Sequence, residues 1–173
     1  MRLIKFSYLL NLLIFALLFG CNKVPIPVKA KYAEPIGHIP LERVIASHNF
    51  KPCYEGLFFQ YYNTTPDASY RFGKDSIRTY VNANYQNNGY TDSGWLSYHF
   101  MINCNGVAGR YSVVETDANY QPGTFNNDLK QQLLKITQHF QDWTPTVYQN
   151  EPYDCVTYLT YKIENGEIVD ILP

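Results

Sequence analysis

The chain has 173 residues, a formal net charge of −1 and 46% hydrophobic residues. That length allows one domain with a proper core, and the near-neutral charge argues against nucleic acid as a partner, since such partners call for a clearly basic face. Sixteen tyrosines and ten phenylalanines suit half-buried strands and interaction surfaces alike, which points to a β-containing binding module.

Residues 1–20 read as a secretory signal peptide. Arg2 and Lys5 give a cationic start, an apolar run over 9–19 is interrupted by Asn11, and Gly20 stands just before Cys21. The run is shorter than the roughly 20 apolar residues that span a bilayer. Leu18-Phe19-Gly20-Cys21 resembles the lipobox of bacterial lipoproteins. The resemblance implies cleavage before Cys21, a diacylglycerol on its thiol and an acylated amine, a membrane anchor of several acyl chains. Asn22 is not the aspartate associated with inner-membrane retention, so the expected location is the cell envelope, at the outer membrane.

Residues 21–45 form a tether. Pro25, Pro27, Pro35 and Pro40 favour extended backbone, with Lys23, Lys29 and Lys31 between them. The folded part is expected over 46–173. Val44 and Ile45, then Leu57, Phe58 and Phe59, are candidate short strands, and 63–67 is a polar turn.

A helix is expected over 74–86, with Ile77, Val81 and Tyr85 every four residues and Asp75 and Ser76 as start signals. Asn87-Asn88-Gly89 ends it. A strand over 95–103 sets Leu96, Tyr98, Phe100 and Ile102 on one face and Trp95, Ser97, His99 and Met101 on the other. Asn105-Gly106 turns the chain into a second strand over 110–115, an antiparallel hairpin. The second helix carries Leu129, Leu133, Ile136 and Phe140 as one apolar stripe, capped by Asn126 or Asn127 and ended by Trp143 and Pro145. A strand over 156–163 and, after Asn165-Gly166, a short strand over 168–172 complete an α+β domain. Its order is helix-strand-strand-helix-strand-strand, two helices packed on a small antiparallel sheet.

With Cys21 lipidated, Cys53, Cys104 and Cys155 remain in an oxidising compartment, enough for one disulfide and one thiol. Cys53–Cys104 ties the upstream segment to the central hairpin; a pairing through Cys155 is the alternative. No C-x-x-C pair is present, so zinc or thioredoxin-like chemistry has no basis in the sequence.

From Tyr70 to Leu172 the chain resembles the C-terminal domain of TonB, in the divergent form found in lipoproteins of the Bacteroidetes. The matching pieces are the first helix, Gly94-Trp95-Leu96-Ser97-Tyr98-His99-Phe100-Met101-Ile102-Asn103, then Gly106 and Gly109. The amphipathic helix leading to Trp143-Thr144-Pro145 and Tyr158-Leu159-Thr160-Tyr161-Lys162-Ile163-Glu164-Asn165-Gly166 follow in order. The resemblance implies capture of an extended peptide by strand addition to the edge at 156–163, with Val156, Tyr158, Thr160 and Lys162 as binding positions. The implied partner is an envelope protein, such as a TonB-dependent-receptor-like protein. The chain departs from a transducing TonB in its lipid anchor and short tether, so binding without energy transduction is expected. The alternative is a structural lipoprotein packed permanently in an envelope complex, the reading favoured if 168–172 covers that edge.

No catalytic, metal or cofactor site is assigned. His38, His48, His99 and His139 lack any metal spacing, and no nucleophile elbow or phosphate loop is present. Glu115 with Asp117, and Glu151 with Asp154, read as solvated carboxylates. Asp75-Ser76-Ile77 resembles the O-glycosylation site of Bacteroidetes secreted proteins.

Overall fold

The computed structural model describes residues 44–45, 50–54, 59–60 and 69–172. The signal peptide, Cys21, the tether up to residue 43, His38, His48, Leu57, Phe58 and the turn at 63–67 lie outside the described residues.

The fold is α+β. Helix α1 (Gly73–Asn84) precedes strands β3 (Gly94–Ile102) and β4 (Ala108–Asp117), and α2 (Asn127–His139) precedes β8 (Cys155–Glu164) and β9 (Glu167–Leu172). Five short strands fill the connections: β1 (Phe59–Gln60), β2 (Ser69–Tyr70), β5 (Trp143–Thr144), β6 (Thr146–Tyr148) and β7 (Glu151–Tyr153). The main sheet runs β8-β3-β4 in its centre, antiparallel throughout, with β1 and β9 both pairing with β8. β2 pairs with β5, and β6 with β7.

The period-two pattern of β3 decides which face is the core. Leu96, Tyr98, Phe100 and Ile102 are at most 1% exposed, against Leu129, Leu133, Ile77 and Val81 from the helices. Each such Leu or Ile contributes roughly 1.5–3 kcal/mol by burial. Two phenols reach from the sheet into α2: Tyr98 Oη donates to Lys130 O at 2.6 Å, and Tyr161 Oη lies 2.8 Å from Thr137 Oγ1. Burial drives the pKa of both tyrosines upward.

The caps explain where the helices begin. Asn126 Oδ1 accepts from the backbone N–H groups of Asp128 and Leu129, satisfying two orphan donors of α2. At α1 the start lies earlier than Asp75 and Ser76 indicate. It follows Phe72 without a side-chain cap, and Ser76 Oγ donates back to Gly73 O at 2.8 Å. After α2, Trp143 packs on Phe100 with centroids 5.2 Å apart and donates from Nε1 to Phe140 O. Gly106, at φ +78°, lies under this tryptophan, and a Cβ there would meet Trp143 O at 2.2 Å.

The β3–β4 pairing departs from regular alternation at a bulge. The β3–β4 register shifts between His99 and Met101, so Arg110 and Tyr111 both lie opposite Phe100. Arg110 takes φ +52°, a conformation a bulge usually gives to glycine. The bulge turns Tyr111 inward, where it is 1% exposed and tilts against Phe100.

Candidate functional site

The edges of the main sheet carry the expected binding positions. Antiparallel pairing alternates which residues direct their N–H and C=O groups to a given neighbour. On β8 the even-numbered residues face away from β3: Asp154 O, just before the strand, accepts from Phe59 N–H at 2.8 Å, and Thr160 and Lys162 pair with Leu172 and Asp170 of β9. Val156 pairs with Gln60 in the parallel β1–β8 contact. Of Val156, Tyr158, Thr160 and Lys162, three are therefore already paired, and Tyr158 falls between the two covering strands. Val156, Thr160 and Lys162 thus lie inside the sheet and not at its rim.

β9 is held by more than its ladder. Ile171 is buried at 5% exposure, and Arg78 of α1 donates to Asp170 Oδ1 at 2.9 Å and to Ile171 O at 3.3 Å. Detaching β9 from the sheet would expose Ile171 and break these bonds as well as the pairing. The ion pair itself is exposed and adds little.

The rim lies at β4. Its odd-numbered residues face outward: Tyr111 O accepts from Ile45 N–H at 2.6 Å, and Glu115 O from Gly123 N–H at 3.0 Å. Asp117 N–H donates to Gln121 O at 2.8 Å. Val113, between these contacts, directs its N–H and C=O outward, with no partner among the described residues. Its side chain joins the margin of the core.

The sheet face away from the helices is mixed in character. His99 and Met101 are buried there at 7% and 6% exposure. Burial lowers the pKa of His99. Further along, Trp95 stacks on Tyr120 with centroids 4.4 Å apart, and Ser97 shares a 2.7 Å hydroxyl bond with Thr160. His139 stacks on Tyr80 at 3.8 Å instead. The two histidines thus belong to different faces and form no joint centre.

Cys53 and Cys104 form a disulfide, and Cys155, buried next to Asp154, takes no part in it. Asp154 is the residue whose role the sequence concealed. It is fully buried, and its Oδ2 accepts from the N–H groups of Cys53 and Tyr54 at 2.8 and 3.0 Å. Its Oδ1 accepts from Cys104 N–H at 2.8 Å. Ligand atoms of Cys53, Cys104 and Asp154 all lie within 4.8 Å of one another. The sulfurs are bonded to each other and the carboxylate is engaged by three donors, so the trio is a staple between the arm at 50–54 and the sheet. The expectation of a solvated Asp154 is corrected, while Glu151 is exposed. The other carboxylates are also engaged: Glu115 pairs with Lys130 at 2.9 Å and accepts from Phe125 N–H, and Asp117 Oδ1 accepts from Asn119 and Gln121.

The chain matches no protein-family model, no curated protein and no solved structure. No helix among the described residues is long and apolar enough to cross a membrane.

Proposed function

We propose that this chain is a lipid-anchored protein of the cell envelope, held at the outer membrane through Cys21, whose TonB C-terminal-like domain binds another envelope protein. It does so without catalysis and without transmitting energy. The helix-strand-strand-helix-strand-strand order supports the likeness to that family. The binding edge differs from the one the family uses. The observation that carries this reading is the contrast between the two strands flanking β3: β8 is paired on its outer side at Val156, Thr160 and Lys162, whereas β4 presents Val113 outward between two short contacts of the chain with itself. An extended partner segment pairs there through backbone groups, and side chains at alternate positions supply selectivity.

The closed β8 edge also favours a second reading, permanent packing within an envelope complex. One experiment addresses both. A photocrosslinking residue replaces Val114 or Tyr158 in the lipidated protein, in its own membranes. Crosslinking of a specific envelope protein from Val114 and not from Tyr158 supports the β4 edge. Release of that protein by a competing peptide marks exchange, and retention marks permanent packing. Failure of Val114 to capture any specific protein would sink the proposal.

A further inference from the structure

An open groove of about 790 Å³ lies away from both sheet edges, between α1, α2 and the loop at 85–92. Its walls are built mostly from carboxamides and phenols. Asn84 and Tyr80 come from α1, Tyr90 from the loop, and Asn126 and Gln131 from α2 and its cap. Ile136 is its one aliphatic contributor and is itself buried at 6% exposure. Asp128 and Lys135 add one charge of each sign.

This loop lacks regular structure yet is bolted at successive residues. The Gln132 carboxamide grips the Gln86 backbone both ways, accepting from its N–H at 2.6 Å and donating to its carbonyl at 3.1 Å. Asn87 Oδ1 accepts from Gly89 and Tyr90 N–H groups at 3.1 and 2.7 Å, while its Nδ2 donates to Glu167 Oε1 at 2.9 Å. Asp92 ties the loop to both neighbours: Oδ1 accepts from Asn126 N–H, and its carbonyl from Gly166 N–H, each at 2.8 Å. Tyr80 is pinned by its parallel stack on His139. A site held this way loses little freedom when a ligand enters.

The polar atoms that these lining residues leave unengaged are of mixed sense. Asn84 spends Nδ2 on Tyr80 O, which leaves Oδ1 as an acceptor. Asn126 spends Oδ1 on the cap, which leaves Nδ2 as a donor. Gln131 offers both, having no hydrogen bond among the described residues. Neutral, planar donor–acceptor groups beside aromatic rings match a ligand whose hydroxyls both donate and accept. A multiply charged anion would need more cations than Lys135, and a drug-like apolar ligand or a peptide side chain would need an apolar floor.

We infer that this groove binds a neutral saccharide of two or three units. The inference does not depend on the partner-binding reading, because it uses the helix layer and no sheet edge. The test is titration of the folded, isotope-labelled protein with maltotriose, cellotriose and tri-N-acetylchitotriose, followed by NMR. Saturable shifts are expected in the side-chain amides of Asn84, Asn126 and Gln131 and in the backbone amides of 86–90, with at least one of these sugars. Asn84→Ala and Gln131→Ala should each weaken that binding by about tenfold, as loss of one or two hydrogen bonds does. Both should leave the melting temperature within a degree or so of the parent, as surface substitutions usually do. Tyr120→Ala, on the opposite sheet face, should leave the binding unchanged. The inference is overturned by absence of saturable shifts with all three sugars, by affinity that survives the Asn84→Ala/Gln131→Ala double substitution, or by a stronger response to tetra-alanine than to any sugar.

Discussion

Asp154 Oδ1 accepts the backbone N–H of Cys104 at 2.8 Å from a fully buried position, and its carboxylate lies within 4.8 Å of the disulfide sulfurs that Cys104 and Cys53 share. The other carboxylate oxygen holds Cys53 and Tyr54. Covalent bond and carboxylate therefore fasten the same arm. Asp154→Ala should lose about 2–4 kcal/mol, because three donors lose a charged acceptor. The Cys53→Ser/Cys104→Ser pair should lose about 4 kcal/mol in the chain-entropy picture for a sequence separation of 51. Denaturant unfolding of the combined variant should show a loss smaller than the sum, since one arm cannot be released twice. Full additivity would mean that the two fastenings act on separate parts of the fold.

The buried hydroxyl pair at Thr137 and Tyr161 predicts a double-mutant result. Thr137 Oγ1 donates to Leu133 O at 2.8 Å and so accepts from Tyr161 Oη. Thr137→Val keeps the shape and orphans the phenol, at a cost of about 1–3 kcal/mol. Adding Tyr161→Phe should return part of that loss. Thermal unfolding of the four proteins measures the coupling.

Gly106 and Gly89 separate steric clash from backbone preference. Both have left-handed φ, +78° and +87°, but a Cβ at Gly106 meets Trp143 O at 2.2 Å and one at Gly89 meets nothing within 4 Å. Gly89→Ala should cost about 1 kcal/mol, the usual left-handed penalty. Gly106→Ala should cost clearly more and shift the tryptophan fluorescence of Trp143. Equal losses would show that the backbone at Trp143 yields freely.

His99 predicts acid sensitivity. Burial holds its folded pKa below the ordinary value of 6.5, so between the folded value and 6.5 the unfolded chain binds more protons than the folded one. The stability is fully present above 6.5 and falls as the pH drops through 6.5 towards the folded value. His99→Leu should flatten this part of the profile of unfolding free energy against pH. An unchanged slope in that variant would assign the acid loss to other groups.

The parts of the fold legible in the sequence are those with a local period or a local turn. Leu96 to Ile102 alternates because one face meets the helices, and Leu129 to Phe140 repeats because one stripe meets the sheet. Asn165-Gly166 marks the β8–β9 hairpin because both residues take positive φ, 51° and 76°. The Gln149-Asn150 turn between β6 and β7 has the same conformation without a glycine to announce it. The bulge at Arg110 likewise hides in an ordinary residue. Two features of the candidate sites depend on partners far along the chain. β1 covers β8 across a long sequence separation, so nothing near residues 156–163 discloses it. Asp154 reads as a loop carboxylate because its three donors lie about residues 53 and 104. The carboxamides of the groove look like turn and helix-surface residues until α1 and α2 are set side by side.

Hydrogen exchange at single amides tests the central contrast between the two strands most directly. In the isolated folded protein, the amides of Thr160 and Lys162 should exchange slowly, held by β9, while the outward amide of Val113 exchanges fast. With the crosslinked partner present, Val113 should become protected and Thr160 and Lys162 should not change. Fast exchange at Thr160 and Lys162 alongside a protected Val113 in the isolated protein would contradict the account, since β8 would then be the open edge.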